Sequence, residues 1–240
     1  MKEKNWQWNE FQQIGTDYSS VDEVEAYDRR MRDMRDIDAE NRTILGLLKL
    51  PENAAVLEIG TGTGAFLRAA AKTGARCVGV DISPVMLEYA ERRAKEENLP
   101  NIRFVHGGFL SAPWPENRFD GIVSGLALHH LPDLWKAFAL RRIHAALKPN
   151  GRFVLVDVVF DWKSEAPESY FERLIRERNS SRENLIRHIA REYSTLDWIM
   201  KGLFEHAGFV LEYESGRMDF LHLYCVRKTD AVPQKLRARG

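Results

Sequence analysis

Glu58, Gly60, Gly62 and Gly64 alternate with other residues through the stretch "VLEIGTGTGAF", and Asp81 closes the later stretch "RCVGVD". An apolar strand pattern that runs into closely spaced glycines makes a sharp turn whose backbone a ligand can approach. A carboxylate at the end of the next strand accepts both hydroxyls of a ribose. Read as G-x-G-x-x-A over Gly60, Gly62 and Ala65, the turn passes as a loose dinucleotide fingerprint. Glu58 separates the readings, since a dinucleotide fold carries an apolar residue there and must accept a pyrophosphate. The third glycine at position 64 suits a ligand without phosphates. No Gly-Lys-Ser/Thr follows the glycines, which excludes a phosphate-cradling P-loop.

The elements that must position these residues alternate. Residues 21 to 49 form a charged amphipathic helical region with a break around Asp36 to Ala39, stopped by Pro51. "AAVLEIG" is a buried-type strand and Ala65 to Thr73 a helix ended by Gly74. "ARCVGVD" is the second strand. A helix follows with Ser83 as N-cap and Pro84 at its first position. "NIRFV" and "FDGIVSG" are strands three and four. "PDLWKAFALRRIHAALK" is a helix closing at Pro149-Asn150-Gly151, and "RFVLVDVVF" is strand five. Strands alternating with crossover helices build a parallel sheet covered on both faces.

The end of the chain breaks this rhythm. Residues 163 to 192 are rich in charge and helix formers. "STLDWIMKGLFEHAGF" reads as a helix capped by Ser194 or Thr195 and closed by Gly208. "FVLEYES" and "DFLHLYCVRK" are two strands joined by "GRM", a hairpin pattern. The expected fold class is therefore α/β: a Rossmann-like, mostly parallel, seven-stranded sheet with helices on both faces and a C-terminal antiparallel hairpin. The expected organisation is an N-terminal helical cap over residues 1–50, a main domain over 51–228 with a helical insertion at about 161–192, and a flexible tail at 229–240.

Composition narrows the function. Lys+Arg and Asp+Glu number 35 each, so there is no strongly basic footprint for nucleic acid. Apolar residues at 44% and charged residues at 29% suit a soluble globular chain. The longest apolar runs fall far short of the ~20 residues that span a bilayer. The start "MKEKNWQWNE" has no apolar stretch of the secretory type, so the expected location is cytoplasmic. Cys77 and Cys225 lie in strand-like runs without C-x-x-C spacing, and read as buried reduced thiols. No clustered spacing points to a metal, and none is expected.

Taken together, "VLEIGTGTG", "GVDISPVML", "FVHGGFL", "FDGIVSGLALHHLPD", "LKPNGRFVLVD" and "LFEHAGF" resemble the class I S-adenosylmethionine (SAM)-dependent methyltransferases over about residues 20 to 228. Within the class the chain looks most like small stand-alone bacterial enzymes of the ubiquinone-methylase-like type. The resemblance implies SAM as cofactor and S-adenosylhomocysteine as its product. It places Gly60, Thr61, Gly62 and Thr63, beside Glu58, under the methionine part, and Asp81 on the ribose hydroxyls. Ile82 and Met86 would pack against adenine, Gly108 and Phe109 would lie by its edge, and Gly125 and Leu126 near the sulfonium. One departure stands out: the usual Gly-Asp after strand three is Gly107-Gly108 here, without the carboxylate that accepts from the adenine amino group.

Transfer from a sulfonium is an in-line displacement in which orientation supplies much of the acceleration. A general base is needed only where the acceptor must lose a proton. His129 or His130, after strand four, would stand near the methyl group, and Tyr193, beside Glu192, would stand where a lid closes. Tyr18, in the aromatic-rich N-terminus, would form part of a lid. The expected acceptor is a small molecule, held between the N-terminal helices and the 161–192 insertion. An RNA or protein acceptor and a non-catalytic SAM-binding module are the alternatives, and a homodimer is compatible with the pattern.

Overall fold

The computed structural model describes residues 6–12, 21–177, 182–217 and 219–229. Tyr18 lies outside the described residues, as does the tail after Thr229. Among them an eight-stranded sheet runs in the order β3-β2-β1-β4-β5-β8-β7, with the two-residue β6 (Thr195–Leu196) beside β5. Strands β1 (Ala55–Ile59), β2 (Arg76–Asp81), β3 (Ile102–His106), β4 (Phe119–Gly125) and β5 (Leu147–Phe160) pair in parallel. Strands β7 (Phe209–Arg217) and β8 (Leu221–Lys228) form an antiparallel hairpin, and β8 pairs antiparallel with β5. The strand order reverses between β1 and β4, so the crevice where ligands of such sheets bind opens above those two strands.

The alternation of side chains along each strand builds two cores. Leu57, Ile59, Phe153, Leu155, Tyr224 and Val226 face α5 (Asp133–Ala146) and α8 (Asp197–His206). Val56, Val123, Val154, Val156 and Leu223 face α2 (Ile37–Leu48) and α3 (Ala65–Ala71) on the other side. Full burial of each such side chain contributes roughly 1.5–3 kcal/mol. A third cluster fastens α6 (Pro167–Glu177) and α7 (Arg182–Ala190), the insertion, through Tyr170, Leu174 and Leu185 against Val158 and Phe160 at the end of β5. None of the described helices is long and apolar enough to cross a membrane.

Local chemistry sets the element ends. α1 (Val21–Met34) stops where the Asp36 side chain caps α2, accepting from Ala39 N at 2.9 Å. The Ser83 hydroxyl caps α4 (Pro84–Glu96), accepting from Met86 N at 3.2 Å, with Pro84 in the first turn. Two expectations need correction. β5 begins at Leu147 and runs through Pro149-Asn150-Gly151, because Phe119 of β4 already pairs with Leu147. α8 begins at Asp197 without a side-chain cap, because Thr195 and Leu196 pair with Val159 and Phe160; Thr195 Oγ1 donates to Asp133 Oδ2 instead, at 3.1 Å.

Candidate functional site

Gly60 N and Thr61 N both donate to Val80 O, at 2.8 and 3.0 Å, which ends the β1–β2 ladder and swings the chain into the glycine turn. Gly60 has φ +74°, and a Cβ there would sit 2.3 Å from Ala127 Cβ, so only glycine fits between the turn and the loop after β4. Gly62 N donates to Asp81 Oδ2 at 2.8 Å, and Ser83 N to Asp81 Oδ1 at 2.9 Å. Each Asp81 oxygen keeps a lone pair for a further donor. Burial raises the Asp81 pKa against these hydrogen bonds.

Two adjoining clefts open on this turn. The first, of about 900 Å³ counting its open mouth, is lined by Gly60, Gly62, Asp81, Ile82, Met86, Gly108, Phe109, Gly125, Leu126 and His130, all expected from the sequence. The second holds Glu58, Thr61 and Thr63 in its wall and shares Tyr27, Gly60, Gly62 and Gly125 with the first. A Cβ at Gly62 or Gly125 would meet no atom within 4 Å, so both backbones border open cleft space that a cofactor could fill. Those two backbones and the partly unsatisfied Asp81 carboxylate fit the adenosyl cofactor. Leu126, with φ +54°, is a left-handed non-glycine residue at the same edge.

Charge is buried beneath the turn. Glu58 accepts from Thr61 Oγ1 at 2.6 Å, and its pKa is pushed up to about 8, by burial first and by Asp81 in addition. Arg68 donates to Thr63 O at 2.6 Å and pairs with Glu97 at 2.8 Å. Thr63 Oγ1 donates to Asp28 Oδ1 at 2.5 Å, which ties α1 to the turn.

The described part of the N-terminal segment, residues 6–12, borders the first cleft. Glu10 and Gln12 line it, Trp6 stacks on Trp135 with centroids 6.0 Å apart, and Trp8 meets Tyr193 edge-on at 5.5 Å. The Glu10 carboxylate accepts from Leu110 N at 2.9 Å and Ser111 N at 2.6 Å. A Cβ at Gly108 would lie 2.5 Å from Glu10 Oε2, so the glycine leaves room for an acid supplied from 98 positions away. Gly108 does not have positive φ, and a Cβ there would meet Glu10 and, at 3.0 Å, Ile82 Cγ2 rather than Phe109. Arg142 pins the same loop from the far side, donating to Leu110 O and, at 2.5 Å, to Ala112 O. Sequence reading missed Glu10, because nothing in "WQWNEFQQ" distinguishes it from an exposed acid.

The two histidines part company. His130 lines the first cleft, and burial together with His129 lowers its pKa to about 3. His129 stands behind it, 3% exposed, with Nδ1 2.5 Å from Asp157 Oδ1 and Nε2 3.5 Å from Glu192 Oε2. Asp157 also accepts from His129 N and Val158 N, each at 2.9 Å. Burial opposes its ionisation, yet His129 and these bonds hold its pKa below the usual carboxylate range. Tyr193 lines neither cleft: its ring rests on Trp8, its N donates to His129 O at 2.9 Å, and its carbonyl accepts from Lys136 Nζ. No described residue of 161–192 is in the lining of either cleft. His129, His130 and Glu192 come within ligand distance of one another across 62 residues, which no spacing rule finds.

A family model described as a methyltransferase domain matches residues 56–151. A methyltransferase of Geobacillus sp. (strain WCH70), itself uncharacterized, is 31% identical over 195 residues, 79% of this chain and 84% of that protein. Methyltransferase YcgJ of Bacillus subtilis, also uncharacterized, is 40% identical over 102 residues, 42% of this chain and 40% of that protein's length. The crystal structure of a SAM-dependent methyltransferase from Aquifex aeolicus matches with a TM-score of 0.64 at 18% identity, covering 88% of this chain and 99% of that one, and shares the fold.

Two outcomes follow from this geometry. Gly108→Asp should lower both cofactor affinity and melting temperature, since its Cβ meets the Glu10 carboxylate at 2.5 Å and sets two acids together. Glu10→Ala combined with Gly108→Asp should recover most of the loss. Tighter cofactor binding in the single variant would refute the account. Glu58 has a folded pKa of about 8 against an ordinary 4.5, so its stability is intact below about pH 4.5 and is lost as pH rises through 8. Glu58→Gln removes that titration. Its melting temperature should gain on the wild type between pH 5 and 8 and then run parallel; a constant difference across the range would contradict the assignment.

Proposed function

Because the chain belongs to the class I methyltransferases, which carry their methyl group on S-adenosylmethionine, we propose that it methylates a small-molecule acceptor enclosed beneath its own N-terminal segment. The observation that supports this reading is the cover: Glu10 clamped on the 108–111 loop, Trp6 on Trp135, and Tyr27 of α1 shared by both clefts. A cleft closed by a segment of the same chain suits a small acceptor, whereas a polymer needs an open groove. We assign this capping role to the N-terminal region, residues 1–50.

The bound cofactor supplies an electrophilic methyl on a sulfonium, already activated for displacement. The chain's own contribution is orientation. Asp81 would hold the ribose, Ile82, Met86 and Phe109 would pack the adenine, and Gly60 to Thr63 would bed the methionine part. Gly125, Leu126 and His130 would border the reacting end. Holding donor and acceptor in line removes up to roughly 7–11 kcal/mol of barrier.

Incubation of the full chain with methyl-labelled SAM and a fractionated cell extract tests the reading. Label should enter the low-mass fraction, and Asp81→Ala should abolish it while costing roughly 1.5–3 kcal/mol of cofactor affinity by calorimetry. Label confined to RNA or to protein would overturn the small-molecule assignment. Calorimetry with no cofactor binding by the wild type would overturn the cofactor site.

A further inference from the structure

Behind the cleft wall, His129, His130 and Glu192 each offer one ligand atom, all within 4.8 Å of one another. We propose that these three side chains form a binding site for a divalent transition-metal ion, with Asp157 orienting His129 from behind.

Four observations carry this. The Asp157 carboxylate, 2.5 Å from His129 Nδ1, holds that nitrogen and turns Nε2 toward Glu192. A carboxylate on the remote nitrogen is the usual support of a metal-bound imidazole. Nε2 lies 3.5 Å from Glu192 Oε2. Two ligands of a four-coordinate zinc-sized ion stand about 3.4 Å apart, so this pair needs almost no movement, and the widest pair closes by a side-chain shift.

Unsatisfied atoms make the third observation. Glu192 is 8% exposed, and its Oε2 forms no hydrogen bond; nor does the buried Nδ1 of His130. His188 Nδ1 lies against the same Glu192 oxygen. Buried polar atoms left in this state call for an explanation. The fourth is the donor set: two imidazoles and one carboxylate suit zinc or iron(II) and leave coordination positions open.

The site is also held in place from outside. Lys136, 1% exposed, donates to Asp133 at 2.7 Å and to Tyr193 O, and Tyr193 N donates to His129 O at 2.9 Å. These bonds fasten the residues after α7 to the loop after β4, which brings Glu192 to the histidines. Since His130 lines the cofactor cleft, an open position on the ion would face it. Resting on the methyltransferase reading, such an ion would take the oxygen, nitrogen or sulfur of the acceptor and lower its proton affinity; ion binding itself does not depend on that reading.

The test uses the full chain, stripped with a chelator and dialysed, then titrated with cobalt(II) followed by visible absorption and with zinc in competition. The proposal expects one equivalent of cobalt with ligand-field bands, displacement by zinc, and a raised melting temperature. His130→Gln and Glu192→Gln should each weaken cobalt binding at least tenfold, and Asp157→Asn by about 10–100-fold. Should Glu192→Gln or Asp157→Asn fail to fold, His130→Gln, on the cleft wall, decides. A wild type that takes up less than half an equivalent, or a folded His130→Gln that binds cobalt as tightly as the wild type, overturns the site. Calorimetric binding of SAM by the metal-free protein is read separately, so loss of the ion site leaves the family assignment standing.

Discussion

Asp81 accepts from Gly62 N with one carboxylate oxygen and from Ser83 N with the other, and the rest of the cleft depends on that pair of bonds. One hydrogen bond fixes the glycine turn after β1; the other fixes the start of α4. The two loops that must face a common ligand are thereby held by a single side chain at the switch point of the sheet. The geometry also explains why a buried acid is tolerable there. Burial pushes its pKa up, and the backbone donors recover part of the loss without exhausting its lone pairs. A carboxylate of this kind is pre-organised for further donors, and hydroxyls meet the requirement.

The opposite wall uses the same device at a greater distance. Asp157, on β5, accepts from three nitrogens and sets the orientation of His129 after β4. β4 and β5 are adjacent parallel strands, so their carboxyl ends deliver both groups to one edge. Glu192 arrives from a different direction, at the end of the insertion, held by the Lys136 and Tyr193 bonds and by the pairing of Thr195 and Leu196 with β5. The described residues of the insertion line neither cleft, and its end places Glu192 beside His129.

What was legible in the sequence follows the range of the interactions. Glycines 60, 62 and 64, Asp81, and the Ser83-Pro84 helix start are local patterns with local causes, and the structure places them in the sheet expected of them. The parallel strands followed from the alternation of strands and helices, and the closing hairpin from two strand patterns joined by a short turn. The start of α8 misled, because Thr195 and Leu196 are taken up by β5, a tertiary pairing that overrides a cap signal. Glu10 and the His129–Glu192 contact were beyond reach. Their partners lie about 100 and 63 residues away, and an acid beside aromatics or a histidine pair before proline has many bland explanations.

Glu10 also changes what the cover is. In the resembling enzymes the loop after β3 carries its own acid; here the loop carries glycine, and the Glu10 carboxylate of the N-terminal segment lies against it. The wall of the first cleft and its cover are therefore one element. Lifting the segment breaks bonds from Leu110 N and Ser111 N to a buried carboxylate, each of a kind that contributes roughly 1.5–3 kcal/mol. Hydration of the freed carboxylate and amides offsets much of that cost, so the cover is held firmly but not locked. The aromatic contacts of Trp6 and Trp8 act in the same sense, since both rings rest on the body of the fold at Trp135 and Tyr193. An enzyme that must admit cofactor and acceptor yet exclude water needs a closure of that intermediate strength. The exchange of Asp for Gly108 thus couples opening of the site to the wall that would face the adenine.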